Sequence, residues 1–467
     1  MQLSHTRPVA VAAFDDPNLV SSAGLVPLLR LAENVGLRGL ADEFLTVPTD
    51  KGAHAGLKVS SLVAGMVAGA DSIDDMAILR HGGMGKLFES GYAPSTLGSF
   101  LRSFAFGHVR QLDAVASRVL TGLAGQTPVV AGIDEYAVVD IDDSIIEVHG
   151  YVKQGSGYGY SGVRGLNALL ATVTTGQSAP VIIGQRLRKG SVGSPRGAGR
   201  MISDVLATVG KLRSGQAGRD QPWRPVLVRA DSAFYGHPTI GSAVRAGADV
   251  SVTVRQTSTI KAAIATIDDQ SWTPIEYTDA VFDPATGRWI SRAEVAEIPF
   301  TAFASQATKR QISGRLVVRR IPDLNAVPGQ GSLFDSWRFH AFFTTTSPDL
   351  LDTVAADKTH RGHAIIENVH ADLKNSALAH LPSGKFTANA AWLVCAVIAF
   401  NLTRAAATIT GPDLAKSTTA TIRRTLISVP ARIASSARKL RLHLPTAWPW
   451  HTAWTTLFDR VSDPPPN

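Results

Sequence analysis

Aspartates stand in two segments of the chain that otherwise have the character of buried β-strands. Asp140 and Asp142 lie in residues 137–146, a run rich in branched apolar residues. Because side chains alternate along a strand, both aspartates share one face. Asp231 follows a second apolar run, residues 226–230, and is expected at the carboxyl edge of the sheet, where α/β proteins form their sites. Burying a carboxylate inside a strand costs free energy unless a cation pairs with it. The pattern therefore predicts functional aspartates, and the alternative is that they are turn or capping residues.

A stripe of polar residues follows further along the chain. The stripe is spaced 3, 4, 3 and 4 residues apart, which on one helix places its members within roughly 80° of one another. Its members are His360, His363, Glu367, His370 and Lys374. Such a stripe is usually a solvated face, but three histidines and a glutamate are an unusual surface. We therefore predict a functional face on a helix over residues 353–378.

Two strand aspartates and a helix glutamate are the ligands that two-metal phosphodiester chemistry requires. Hard oxygen ligands hold divalent ions about 3.5 to 4 Å apart, where one ion activates water or a 3′-hydroxyl and the other stabilises the leaving oxygen. A zinc site of His363, Glu367 and His370 is the competing possibility. However, the sequence has no His-Glu-x-x-His motif, and the histidines can instead contact phosphate.

The composition favours a polyanionic partner. Of 467 residues 45% are hydrophobic, which excludes global disorder, and 46 Lys and Arg against 38 Asp and Glu give a formal net charge of +8. This excess suggests nucleic acid. The single cysteine, Cys395, lies in an apolar run and is expected to be a buried thiol, which excludes internal disulfides and multi-thiolate metal sites.

Neither a secretion signal nor a membrane span is expected. Residues 1–9 are polar and lack the apolar stretch of a signal peptide, so we predict a cytoplasmic protein without membrane association. The most hydrophobic stretch, residues 392–400, is shorter than the roughly 20 residues that a bilayer requires. It is expected to form a core helix.

The elements that must position these residues change in type along the chain. Residues 1–125 have apolar residues at helical spacing between glycine turns, which predicts a helical N-terminal domain that binds DNA. Strands alternating with helices predict the first part of an α/β core at 126–256. A β-rich insertion subdomain at 257–346 precedes the second part of the core, with the glutamate helix, at 347–410. A basic tail, expected to be helical, occupies 411–467.

Three segments together resemble the cut-and-paste DDE transposases of bacterial insertion sequences. The first is the strand of Asp142, with the Tyr158-Gly159-Tyr160 segment after it. The second is the strand that ends at Asp231, and the third is the helix of Glu367. The resemblance covers most of the chain.

The third segment carries the most specific likeness. Members of the larger group have a Tyr-x2-Arg-x3-Glu-x6-Lys signature on the helix of the catalytic glutamate. Here that spacing falls on His360, His363, Glu367 and Lys374, so the last two match in type and histidines replace the first two. The resemblance implies that these residues, Glu367 excepted, bind DNA together with Arg361, which takes the place of the missing arginine.

The resemblance also implies a fold and a metal site. The expected fold is α/β: a ribonuclease-H-like mixed sheet flanked by helices, with an all-α N-terminal domain and a β-rich insertion. Asp142, Asp231 and Glu367 are implied as the catalytic residues and as the ligands of Mg²⁺, with Mn²⁺ as a substitute. The family's first catalytic aspartate is followed two positions later by Ser or Thr, and Ser144 therefore selects Asp142 over Asp140.

The implied function is transposition of DNA. Such an enzyme cuts transposon ends and joins them to target DNA by hydrolysis and transesterification, acting as a homodimer on two ends in the bacterial cytoplasm, associated with the nucleoid. Its partners are the double-stranded DNA of the transposon ends and of the target. Two alternatives stay open: a ribonuclease-H-like nuclease without strand transfer, and an inactive DNA-binding protein.

Overall fold

Helices dominate the N-terminal part of the chain. The computed structural model describes residues 11–48, 52–88, 91–150, 152–214, 225–283, 288–322, 337–436 and 439–463. A short strand precedes six helices: β1 Leu19–Val20, α1 Leu25–Asn34, α2 Leu37–Phe44, α3 Ala55–Ala68, α4 Met84–Leu87, α5 Pro94–Arg102 and α6 Phe106–Gln126. Apolar residues at helical spacing, such as Leu28, Leu62 and Leu112, are fully buried between them.

A mixed sheet follows and forms the centre of the molecule. Its elements are β2 Ala137–Glu147, β3 Gly157–Tyr158, β4 Arg164–Thr174, β5 Val181–Lys189, α7 Ala198–Ser214, β6 Val226–Ala230, α8 His237–Arg245 and β7 Asp249–Thr253. Strand β4 pairs antiparallel with β2 and β5, whereas β2 pairs parallel with β6, and β6 with β7. The resulting order β5-β4-β2-β6-β7, flanked by helices, is compatible with the expected ribonuclease-H-like fold.

The β-rich segment extends this same sheet. It comprises α9 Ser258–Ile264, β8 Thr273–Asp283, β9 Arg288–Ala302, β10 Ile312–Pro322 and β11 Trp337–Thr344. Strand β11 pairs antiparallel with β7, with Phe343 opposite Val252, and the other strands follow in the order β10, β9, β8. The segment that the sequence predicts as an inserted subdomain is therefore built onto the core sheet, where it covers the edge of β7.

Three helices follow the sheet: α10 Thr353–Arg361, α11 Ile365–Lys374 and α12 Phe386–Thr410. A 3-10 turn, Gly362–Ala364, joins α10 to α11, so the prediction of one helix over residues 353–378 is wrong. Helix α12 is long and apolar enough to cross a membrane, but 83% of its most apolar window is buried inside the protein. The predicted core helix over residues 392–400 is thus confirmed. Cys395 within it is buried, as predicted, and burial raises the pKa of its thiol to about 12.

The basic tail packs against the N-terminal helices. It contains α13 Pro412–Ala415, α14 Thr419–Ile422, β12 Ala431–Ser436, β13 Lys439–His443 and α15 His451–Ser462. The tail is not wholly helical, since β12 pairs with both β1 and β13. Helix α15 packs on α1, where Asn34 donates a hydrogen bond of 3.0 Å to the carbonyl of Val461. Arg438, part of the tail's predicted basic surface, lies outside the described residues.

Candidate active site

Parallel pairing of β2 and β6 brings two of the predicted aspartates to neighbouring positions. Ile141 lies opposite Ala230 in the register, and the next residue on each strand is Asp142 and Asp231. Asp231 ends its strand and caps a 3-10 turn, where its Oδ1 accepts a 2.9 Å hydrogen bond from the Ala233 amide. Asp142 lies inside the longer strand, with its side chain 20% exposed. The structure therefore places both of these predicted carboxylates in one part of the sheet.

The charges of these two carboxylates are incompletely balanced. Burial, with a smaller contribution from the negative charge of Asp231, raises the pKa of Asp142 to about 7, against the opposing effects of a backbone hydrogen bond at Asp143 and of His363. The pKa of Asp231 is also raised, chiefly by burial, and again His363 opposes the shift. Two half-buried carboxylates whose ionised forms are disfavoured are the kind of arrangement that an added cation stabilises.

Asp140 has a different environment, although it shares a strand face with Asp142. Its side chain is fully buried and forms a two-pronged ion pair with Arg229, with both N–O distances 2.7 Å. Its Oδ1 also lies 2.8 Å from Nδ1 of His363. Asp140 is thus a buried anchor, whereas Asp142 keeps partial solvent access. Sequence reasoning missed Arg229, although a lone cation inside an apolar strand is the signal that could have found it.

Arg229 also fixes the start of the glutamate helix. Its Nη1 donates a hydrogen bond to the carbonyl of Thr359 in α10. A Cβ atom on Gly362 would lie 2.5 Å from the same nitrogen, so only glycine permits this approach. One guanidinium therefore connects β6, the Asp140 carboxylate on β2 and the junction of α10 and α11.

The structure places His360 on the inner side of α10, away from the rest of the predicted stripe. Its Nδ1 and Nε2 lie 2.8 and 3.0 Å from the hydroxyl oxygens of Ser251 and Thr253 on β7. Its ring stacks on Phe342, with a centroid distance of 4.0 Å, and burial lowers its pKa to about 3. A neutral ring with both nitrogens engaged does not fit the DNA contact that we expected of His360.

His370 also departs from the predicted polar face. It is buried on α11 together with Val369, and its Nε2 lies 3.8 Å from Oδ2 of Asp142. Burial lowers the pKa of His370 to about 4, so its ring is neutral at physiological pH. The stripe is therefore divided between a buried histidine and exposed Glu367 and Lys374.

The remaining signature residues surround β2. Nζ of Lys374 donates a 3.0 Å hydrogen bond to the Ser144 hydroxyl, two residues beyond Asp142. His363 is largely buried by its contact with Asp140 and so does not project outward as expected. Glu367 lies in the first turn of α11 and is exposed, and it is not gathered with Asp142 and Asp231 into one cluster.

Arg361 lies at the end of α10 and is about one-third exposed. Its Nε donates a 2.8 Å hydrogen bond to Oδ2 of Asp357, a buried carboxylate that also pairs with Arg319 at 3.4 Å. The guanidinium is therefore held by its own helix while part of it stays accessible to a ligand.

The sequence matches the family model of the DDE transposase domain, group 1, over residues 2–465. The chain belongs to this family. No curated protein matches it. The resemblance to DDE transposases predicted from three short segments is thereby confirmed. The family implies a metal-dependent enzyme of DNA transposition whose partner is DNA.

The family generally uses divalent metal ions, and part of this transposase's site fits one. Among the residues that the structure describes, no three His, Cys, Asp or Glu side chains are gathered closely enough to hold a metal ion. The pair Asp142 and Asp231 nevertheless offers the hard oxygen ligands that such ions prefer, and their raised pKa values indicate uncompensated negative charge. Neither the predicted set of Asp142, Asp231 and Glu367 nor the alternative zinc set of His363, Glu367 and His370 is assembled into one cluster.

Proposed function

We propose that this DDE transposase serves a bacterial insertion sequence, cutting its ends and joining them to target DNA in the cytoplasm. The observation that supports this most is the adjacency of Asp142 and Asp231 on parallel strands of a ribonuclease-H-like sheet, with carboxyl pKa values raised by burial. Action on two ends further calls for a homodimer.

The proposed metal ligands are Asp142, Asp231 and Glu367, with Mg²⁺ as the ion and Mn²⁺ as its substitute. Bound divalent ions activate water or a 3′-hydroxyl and stabilise the leaving oxygen. The two aspartates are held by the sheet, whereas exposed Glu367 is carried by α11 and would complete the set. Arg229 maintains the spacing between these elements through its contacts with Asp140 and α10.

DNA near the cut would contact exposed cations on the same helices. Lys374 stands beside Ser144, and Arg361 is partly exposed at the end of α10. His363, which Asp140 holds in place, would contact the DNA strand beside Asp142 and Asp231. For recognition of the ends we propose the helical domain at 1–125, supported by the basic tail that packs on it.

The test is DNA cleavage by substituted proteins on duplexes taken from the DNA that flanks the coding frame, where the proposal predicts short inverted repeats. Asp142→Asn, Asp231→Asn and Glu367→Gln keep the side-chain shape but remove the anionic oxygen that a hard cation needs. Each should abolish Mg²⁺-dependent nicking while gel-shift affinity stays near that of the parent. Asp349→Asn, at an exposed loop position, is the matched control and should cut normally.

The products distinguish the proposal from its rivals. Joined products that link the cut 3′ end to target DNA support a transposase. Nicks without joined products indicate a ribonuclease-H-like nuclease, and binding without cleavage by the parent protein indicates an inactive DNA-binding protein. Normal cleavage by any one of the three variants removes that residue from the metal site.

A further inference from the structure

A groove of about 710 Å³ begins where the aspartate strand leaves the candidate metal site. One wall is β2 from Asp143 onward, and α11 contributes Lys374 at the near end. The opposite walls are the segment around Tyr158 and Tyr160 and the loop at residues 190–194. The groove therefore starts next to Asp142 along β2 without including Asp142 or Asp231 in its lining, and apart from Lys374 the proposed function does not use it.

Two tyrosine rings project from the wall of this groove. Tyr158 is 68% exposed and Tyr160 is fully exposed, so both rings are accessible to a ligand. Tyr158 is held at the edge of the sheet, because β3 pairs with β4 through Tyr158 and Arg164. Tyr160 lies in the turn that follows β3.

Close backbone packing shapes the floor of the groove. A Cβ on Gly159 would lie 2.6 Å from the carbonyl oxygen of Gly190, and a Cβ on Gly190 would lie 2.0 Å from that of Gly165. These glycines allow three segments to approach more closely than any other residue would. The groove is consequently a built feature of the fold.

A buried arginine holds the far wall in place. Arg188 donates hydrogen bonds of 2.8 and 2.7 Å to the carbonyls of Ser194 and Arg196 and forms a 2.7 Å ion pair with Asp143. It thereby neutralises the carboxylate at the mouth of the groove nearest the metal site. Lys374 is left as the cation there, so an anionic strand can enter from that end.

We propose that this groove binds unpaired nucleotides of the DNA strand next to the scissile phosphate, with bases stacked on Tyr158 and Tyr160. The inference rests on the proposed function, because the cut fixes where the strand lies. A mixed wall of hydroxyls, backbone and aromatic rings suits nucleotides, since aromatic faces stack on any base while a nearby cation tracks the phosphates. Inside a paired duplex both faces of each base are covered by its neighbours, so stacking on both rings calls for unpaired nucleotides.

The test measures binding without cleavage, in EDTA, so that it does not depend on the metal chemistry. The probes are the end duplex, either fully paired or with a short single-stranded overhang at the cut that carries 2-aminopurine. The variants are Tyr158→Ala/Tyr160→Ala, and Tyr158→Phe/Tyr160→Phe as the matched control that keeps both rings. Loss of base stacking should weaken binding of the overhang probe by roughly tenfold to a hundredfold in the alanine protein only.

Three further readings complete the test. The parent and phenylalanine proteins should quench 2-aminopurine fluorescence and the alanine protein should not, while binding of the fully paired duplex changes little. Equal affinity of all three proteins for the overhang probe would overturn the inference. A change in the oligomeric state of the alanine protein would also overturn it, because it would mean that a second copy of the chain occupies the groove. Failure of the parent to cut DNA in Mg²⁺ would contradict the proposed function instead, and the binding result would still decide the role of the groove.

Discussion

Replacing Asp142 with asparagine should make the metal-free protein more stable at alkaline pH, although the same change removes a proposed catalytic ligand. The pKa of this carboxyl is about 7 in the folded chain against an ordinary value of 3.8, chiefly because of burial. Below pH 3.8 the group is protonated in both the folded and the unfolded state and costs nothing. As the pH rises toward 7, ionisation increasingly favours the unfolded state, and above about 7 the penalty is complete.

The magnitude follows from the pKa difference. About three pH units at about 1.4 kcal/mol each give roughly 4 kcal/mol, an upper value because Asp142 and Asp231 titrate together. Urea denaturation in EDTA at pH 5 and pH 8.5 measures it. Asp142→Asn should raise the free energy of unfolding by about 2 to 4 kcal/mol at pH 8.5 and by less at pH 5.

A neighbouring substitution provides the control. Asp143→Asn should destabilise the protein at both pH values, because it leaves the buried Arg188 guanidinium without its carboxylate. Identical pH dependence of unfolding in the parent and in Asp142→Asn would show that folding does not raise the pKa of Asp142. Asp142 and Asp231 would then give no reason to expect a bound cation.

Three other perturbations test separate parts of the structure. Arg229→Met leaves Asp140 buried without its cation and should lower the free energy of unfolding by about 3 to 5 kcal/mol in urea, whereas an unchanged value would contradict its role as an anchor. Lys374→Ala should reduce strand cleavage more than duplex binding. Equal losses in the two assays would mean that Lys374 contributes only to general DNA affinity. Lys439→Glu with Arg441→Glu, both exposed on β13, should weaken duplex binding and leave the preferred sequence unchanged. The slope of log affinity against log salt should become shallower by roughly 0.9 for each phosphate that the variant no longer neutralises. A changed sequence preference would assign base recognition to the tail.

The strands of the core were predictable because their side chains alternate or run apolar over short lengths. The run that contains Asp140 and Asp142 lies within β2, and the one before Asp231 is β6. Local pattern therefore identified both strands, whereas the resemblance to DDE transposases implied that Asp142 and Asp231 act together.

Contacts between residues far apart in sequence were beyond such reasoning. Asp140 and Arg229 are 89 residues apart, so the strand pattern alone could not reveal that one aspartate is paired and the other is not. The close approach of the same guanidinium to Gly362 could not be predicted either. His360 turns toward β7 because two hydroxyls of that strand satisfy its nitrogens, and no helical spacing encodes that choice.

The tail shows a similar limit. Its charge was evident from composition, but its pairing with β1 depends on a register between Val20 and Ala431 at opposite ends of the chain. Deleting the tail would remove the partner of that strand together with the packing of α15 on α1. Point substitutions on β13 are therefore the suitable probe of its DNA contacts.

Metal-specificity switching tests the central claim, that Asp142 and Asp231 ligate the catalytic ion, most directly. Asp142→Cys replaces a hard oxygen ligand by a softer sulfur, and the chain's own cysteine, Cys395, is buried and does not interfere. The measurement is the ratio of nicking rates in Mn²⁺ and Mg²⁺ for the parent, Asp142→Cys and Asp143→Cys. Direct ligation predicts that Asp142→Cys is inactive in Mg²⁺ and partly restored by Mn²⁺, with no such restoration for Asp143→Cys. An unchanged ratio of rates for Asp142→Cys, in a protein that still cuts DNA, would contradict the claim.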